Sequence, residues 1–188
     1  FEKCKFISYQ INSGKINSII LNNNGVVNIQ SEKIVFATGG YGGKEIKDLK
    51  NYWLPIKTFI GVTKPLGNEL HSVLKKPLGF SDNRRAGNYY RVLPGNRLSW
   101  GRGISAVGKF TPLSLKRAIS KEISYFFPEL RNVEIDYVWS GNMAYASHYM
   151  PYVGSTKIGN EKNVFTLMGF GGHGMNTAPG SAMVLADF

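Results

Sequence analysis

Residues 169–180, GFGGHGMNTAPG, lie between an apolar, β-branched run at 163–168 and a closing apolar segment at 181–188, and this order constrains the chain more than any other stretch. It reads as strand, glycine loop, helix. A strand that runs into glycines and then into a helix start brings unpaired backbone N–H groups and the positive end of a helix dipole to one spot. Such a spot suits an anion or an electron-rich carbonyl. Gly169, Gly171, Gly172 and Gly174 allow positive φ and close approach of a flat ligand, leaving His173 and Met175 as the large side chains of the turn. By composition alone the same glycines equally suit a surface loop. The segment that follows favours the first reading: Ala178, Ala182, Met183, Leu185 and Ala186 predict a buried helix packed closely on a sheet, with Pro179 near its first turn, where proline is tolerated.

Residues 1–40 read as strands at 4–9, 16–21, 26–30 and 33–38, broken by SG and NNNG turn signals, and a β-meander is the economical arrangement. The last of them is apolar throughout (Ile34, Val35, Phe36, Ala37), which predicts burial on both faces, as in a parallel sheet. It too ends in glycines, at the strand end where ligands sit in open α/β sheets. Taken alone, a tight turn accounts for those glycines. Further on, NYYRVLPGNRLSW predicts a hairpin of strands 88–93 and 97–100 joined by PGN. Residues 111–127 predict a helix capped by Thr111, with Pro112 in its first turn and a buried stripe of Leu115, Ile119, Ile123 and Phe126, ended by Pro128. Its Lys116, Arg117, Lys121 and Glu122 form a solvated face. From residue 132 an alternating strand sets Val133, Ile135, Tyr137 and Trp139 on one side.

A hydrophobic fraction of 43% over 188 residues is ample for a core in one domain or two small ones. No apolar run is long enough for a membrane span. The single cysteine, Cys4, excludes an internal disulfide framework and a multi-cysteine metal site, and fits a reducing cytoplasm. The formal charge of +11 raises nucleic acid or another acidic partner. Yet the cations are scattered among acids (KEIKDLK, Lys75 and Lys76, Arg84 and Arg85, SLKRAISKE), and no nucleic-acid module surrounds them, so nucleic acid is disfavoured. His71, His148 and His173 lack metal-site spacing, and Ser140 and Ser181 lie outside any GxSxG elbow. What remains is glycine-opened backbone and aromatic walls with few acid or base groups, the outfit of a site whose cofactor carries the chemistry.

Three segments together, ATGGY at 37–41, VWSGNMAYASHYMPYVG at 138–154 and GFGGHGMNTAPGSA at 169–182, resemble the FAD-dependent D-amino-acid oxidase and glycine oxidase family, in particular its amine-oxidising branch, of which gamma-glutamylputrescine oxidation is typical. The resemblance implies an α/β fold with α+β character, part of a two-domain FAD-binding oxidoreductase. Residues 1–50 are then the carboxy-terminal portion of the FAD domain, 51–150 the substrate domain, and 151–188 the return to the FAD domain. The cofactor neighbours it implies are Ala37, Thr38, Gly39, Gly40, Gly141, Gly169, Phe170, Gly171, Gly172, His173, Gly174, Met175 and Asn176. Tyr89, Trp100, Trp139 and Met143 would line the substrate.

The implied reaction is hydride transfer to FAD from a carbon next to an uncharged nitrogen, giving an imine. His148 and His173 are available as bases, and neither is assigned. Amino-acid-oxidising members carry an arginine where this chain has Met143, so an amine without a carboxylate at the reacting carbon is the expected small-molecule substrate. A cysteine near Gly141 that holds a covalent flavin is absent, so the FAD would be non-covalent, and the lysine some relatives place at about Ser99 is absent too, which leaves the electron acceptor open. The GxGxxG fingerprint is missing, so the chain reads as a fragment whose partner is an amino-terminal part of the FAD domain. Two other readings stay open: a non-catalytic basic binding module, and a degenerate, truncated paralogue.

Overall fold

The computed structural model describes residues 2–13, 15–22, 24–42, 49, 51–84, 86–106, 108, 110–156 and 163–188. Gly43, most of the KEIKDLK cluster and Arg85 lie outside the described residues. The fold is mixed α/β and rich in sheet. It forms two units, residues 1–55 with 143–188, and residues 56–142.

In the first unit, β1 (Lys5–Asn12), β2 (Lys15–Asn22) and β3 (Gly25–Ser31) form an antiparallel meander in the order β1-β2-β3. The fourth predicted strand is not part of it. β4 (Ile34–Phe36) pairs instead in parallel with β11 (Val164–Met168), whose other neighbour is the antiparallel β10 (Tyr152–Ser155). The parallel pairing agrees with an all-apolar strand, because such a strand has no solvent face to offer a meander edge. Burial on both faces does not hold, however: Phe36 is 4% exposed but Val35 49%, since among the described residues only one side of this strand is covered. That side packs on the meander, where the Phe6 ring meets Phe36 edge-on at 5.5 Å, and Ile16, Leu49, Trp53, Ala144, Val164 and Met168 complete the core.

The second unit holds a sheet in the order β6 (Gly79–Ser81), β7 (Tyr89–Leu93), β8 (Arg97–Ser105), β5 (Trp53–Thr63), β9 (Ile135–Ala146), with β5 and β9 continuing into the first unit. The hairpin forms at PGN, where Gly95 and Asn96 take φ of 75° and 53° and Leu93 faces Arg97. α1 (Glu69–Val73) and α2 (Pro112–Phe126) complete the unit. α2 begins as its sequence requires: Thr111 Oγ1 accepts from the Ser114 amide at 3.1 Å, and Ser114 Oγ accepts from the Thr111 amide at 3.1 Å. Leu115, Ile119 and Ile123 are buried, whereas Phe126 is 38% exposed at the helix end. Of the four residues expected on one side of this strand, Val133, just before β9, and Ile135 are buried while Tyr137 and Trp139 are 59% and 48% exposed; further along it is Val138, from the other set of the alternation, that packs against the core.

The closing helix, α3 (Gly174–Ala186), departs most from expectation. None of its residues is buried; Met175 is 95% exposed and Met183 73%. Only Gly174, Ala178, Ser181 and Leu185 are half-buried, a stripe one residue wide that rests on β10 and β11. Small residues let the helix approach the sheet closely, but they cover little of its circumference. Pro179 lies inside the helix rather than in its first turn, because the helix starts as early as Gly174. Its missing N–H leaves the Met175 carbonyl without the usual partner.

Candidate cofactor site on the first unit

The site is assembled from the carboxyl ends of two neighbouring strands. Val164, Phe165 and Thr166 pair with Ile34, Val35 and Phe36 in parallel register, so the chain leaves β4 and β11 on the same edge of one sheet. After β4, Gly39 takes φ of 58° in a single 3₁₀ turn, residues Gly39–Tyr41, with Gly40 buried. The strand therefore stops at Phe36, and Ala37 and Thr38 lead into this turn. Thr38 lies so close to Gly42 that a Cβ there would fall 2.0 Å from Oγ1.

After β11 the chain runs through Gly169, Phe170, Gly171 and Gly172 to His173, with φ of 87°, 58° and 92° at the three glycines. Gly174, expected to share that freedom, is instead the first residue of α3. His173 is the N-cap, with φ −100° and ψ 16° and no side-chain cap bond. Its carbonyl accepts from the amide and the hydroxyl of Thr177, at 3.2 and 2.7 Å. Gly174, Met175 and Asn176 present the first amides of the helix, which have no intrahelical acceptor. No acidic side chain occupies this turn. The start of α3 is thus a run of uncompensated donors.

The end of β9 fixes the loop's position. The Gly171 amide donates to the Ala144 carbonyl at 2.8 Å, and Tyr145 and Phe170 form an antiparallel bridge. A Cβ at Gly169 would lie 3.2 Å from that of Ala146 and 3.3 Å from the Tyr152 ring; at Gly171, 3.3 Å from the Tyr145 ring; at Gly172, 3.1 Å from Met143 Sδ. The loop is glycine-rich because side chains of β9 and β10 occupy the space beside it. His148 packs on Tyr152 with ring centroids 4.5 Å apart, and its Nδ1 accepts from the Met150 amide at 3.2 Å.

The remaining nominated residues belong to the second unit. Tyr89 lies across Gly101, where a Cβ would fall inside its ring, and its hydroxyl is 3.4 Å from Thr58 Oγ1. Trp100 points to the other face of the sheet and is fully buried, stacked on Tyr90 at 4.7 Å with its indole N–H donating to Glu122 Oε2 at 3.2 Å. It is a core residue, so its nomination as a substrate wall is corrected: neighbours along a strand face opposite ways, and the pairing of Tyr90 with Trp100 puts both under α2. Trp139 and Gly141 lie in β9. Tyr145 and Tyr152 were missed by the sequence reading, although the period of two that continues from Gly141 places Tyr145 on the side of Met143. No cluster of metal-ligating side chains occurs among the described residues.

Glycine turns at the carboxyl ends of two parallel strands, one feeding an uncapped helix start, stand where open sheets of the α/β class bind their ligands. The whole chain, residues 1–188, matches the family model of FAD-dependent oxidoreductases, DAO, and the protein belongs to that family. Among curated relatives it is 26% identical over 161 residues to gamma-glutamylputrescine oxidoreductase of Escherichia coli strain K12, covering 85% of this chain and 37% of that protein. It is 26% identical over 162 residues to the probable oxidoreductase OrdL of Haemophilus influenzae, covering 84% and 36%. The chain therefore spans little more than a third of these relatives' length. Among solved structures, glycine oxidase from Bacillus cereus superposes with a TM-score of 0.72 at 19% identity, over 100% of this chain and 50% of that one. L-proline dehydrogenase from P. horikoshii gives 0.72 at 20% identity, over 98% and 48%. These likenesses establish the fold. No helix among the described residues is long and apolar enough to cross a membrane.

Proposed function

We propose that the chain is the carboxy-terminal portion of an FAD-dependent amine oxidoreductase. The carrying observation is the run of unpaired amides at Gly174, Met175 and Asn176, delivered by glycines with positive φ beside the glycine turn after β4. An uncapped helix start with no acidic neighbour fits an anionic or carbonyl-bearing group, and the donor set is all backbone. When bound, FAD would supply the acceptor for a hydride leaving a carbon next to nitrogen. The chain's own part is to hold it. Amides of residues 174–176 stabilise negative charge, while the His173 amide is held by the Phe170 carbonyl; Gly169, Gly171 and Gly172 keep side chains out of the way around Phe170, and Ala37, Thr38, Gly39 and Gly40 line the adjoining strand end.

Residues 1–50 and 151–188 are assigned to the FAD domain and 51–150 to a substrate domain, with Tyr89, Trp139 and Met143 as its substrate-facing side chains and Gly141 as a cofactor neighbour. Met143, uncharged beside Gly172, favours an amine over an amino acid, and the name of the Escherichia coli relative suggests gamma-glutamylputrescine as the first compound to try. The remainder of the FAD domain is the required partner, and a cytoplasmic setting agrees with the lone Cys4.

The test is visible absorbance of the longest natural form of the protein, purified without added cofactor and then mixed anaerobically with amines. A flavin spectrum that an amine bleaches is expected. A protein that stays colourless when FAD is supplied overturns the proposal and leaves a degenerate paralogue or a basic binding module. For the latter a specific feature exists: a groove of about 620 Å³ between α2 and the start of β9, whose charged lining is Lys116, Arg117 and Lys121 with the single acid Glu134. Salt-sensitive capture of an acidic partner there would support that second reading.

A further inference from the structure

Tyr145 has no chemical role in the site as drawn so far, yet both its ring and its backbone are held against the glycine loop. It projects from the end of β9 on the same side as Met143, while the alternating Ala144 and Ala146 turn into the protein at 5% and 3% exposure. Its ring lies flat on the loop: a Cβ at Gly171 would be 3.3 Å from both Cδ1 and Cε1, and one at Gly172 would be 3.8 Å from the hydroxyl oxygen. The backbone on either side is pinned, by the amide of Gly171 on the carbonyl of Ala144 and by the Tyr145–Phe170 bridge, so the ring has little freedom to swing away. The hydroxyl ends one residue short of the N-cap of α3, and among the described residues it has no hydrogen-bond partner.

A half-buried phenol that is held by its ring and left open at its oxygen is a preset donor. Nearby lie the unpaired amides of α3, also donors, and the Met143 sulfur, at most a weak acceptor. Donors gathered in this way want an acceptor from outside the chain. We infer that Tyr145 is a further cofactor-positioning residue, its hydroxyl donating to the electron-rich edge of the group held at the start of α3. This rests on the flavin reading above. On that reading Tyr145 does with a neutral hydroxyl part of what a cationic side chain would do beside a group that gains negative charge on reduction. Ring and hydroxyl have separable duties: the ring shapes the loop, and the hydroxyl biases the redox equilibrium.

Tyr145→Phe in the longest natural form of the protein keeps the first duty and removes the second. With FAD as the probe, the expected result is an unchanged thermal midpoint. Reduced FAD should then be held roughly tenfold less tightly relative to oxidised FAD, a fall of about 30 mV in the two-electron midpoint potential measured by dye equilibration. An unchanged potential in a variant that still binds FAD overturns the assignment and leaves the flavin reading intact. Should the parent itself bind no FAD, the flavin reading falls and the assignment with it. A second measurement does not depend on the variant's folding. With 3-fluorotyrosine incorporated, the fluorine resonance of residue 145 is expected to move when FAD is added, and to move again on reduction. A resonance indifferent to both overturns the assignment.

Discussion

The two long helices of this chain are built on opposite plans. α2 is closed at its start by Thr111 and Ser114, buries Leu115, Ile119 and Ile123, and is stitched to β8 by Glu122, which accepts from both Trp100 and Arg102. α3 has no cap bond, no buried residue and a proline within it, and is entered through three glycines in strained-for-others backbone. The first helix spends its sequence on stability. The second rests on β10 and β11 by a narrow stripe and leaves its first donors and much of its apolar surface uncommitted among the described residues.

The comparison breaks most readily at the α2 core. Ile119→Ala removes a fully buried side chain whose Cδ1 and Cγ2 sit over Gly61, and should cost about 2–5 kcal/mol in denaturant unfolding. A loss comparable to that of a surface change would show that α2 is not the anchor. Next comes the loop before α3. Gly172→Ala forces a side chain to φ of 92° with its Cβ 3.1 Å from Met143 Sδ, and should cost about 1–3 kcal/mol. It should also weaken FAD binding, and unchanged stability together with unchanged binding would remove the case for a shaped loop.

The caps give a smaller contrast. Thr111→Ala should destabilise by about 1 kcal/mol, whereas His173→Ala at the start of α3 should leave the unfolding midpoint where it was, because only Thr111 makes a cap bond. Equal losses would erase the distinction. Met183→Ser, on the open side of α3, should change the stability of the isolated chain by less than about 0.5 kcal/mol. In the longest natural form a larger loss is expected, and its absence would mean that nothing covers this face.

The smallest effect is electrostatic. Arg84 donates to Asp82 from Nε at 3.0 Å and from a second guanidinium nitrogen, and with the Asn88 amide it holds the Asp82 carboxyl well below the usual carboxylate range. A lowered folded-state pKa means that the unfolded chain takes up the proton first as pH falls. The contribution is therefore complete above the ordinary aspartate pKa of about 4, and is lost as pH drops from there toward the folded value. Because the pair is solvent-screened, Asp82→Asn should flatten the acid limb of the stability profile only slightly. An unaltered acid limb would show that the pair contributes nothing measurable.

Much of this was written in local chemistry. The cap and stripe of α2, the PGN hairpin, the parallel character of the strand at Ile34 and the glycine loop before α3 each follow from residues within one turn or one strand of each other. The family resemblance is equally local, resting on short segments, and the match of the full chain to the FAD-dependent oxidoreductases agrees with it. The failures have a common cause. Val35, Trp139 and the outer face of α3 were expected to be buried or aligned on hydropathy alone, but burial depends on what lies opposite, and hydropathy does not report a neighbour.

By itself, then, the sequence determined where strands, turns and helix starts occur, because caps, prolines and glycines act through the backbone of their own segment. Tertiary structure decided that β4 leaves the meander for β11, that Trp100 turns under α2 while Tyr89 faces the other way, and that Tyr145 lies on Gly171. Each of these is a contact between residues far apart in the chain. Strand partner and side-chain face are settled by the packing of whole sheets and not by any one segment's preference.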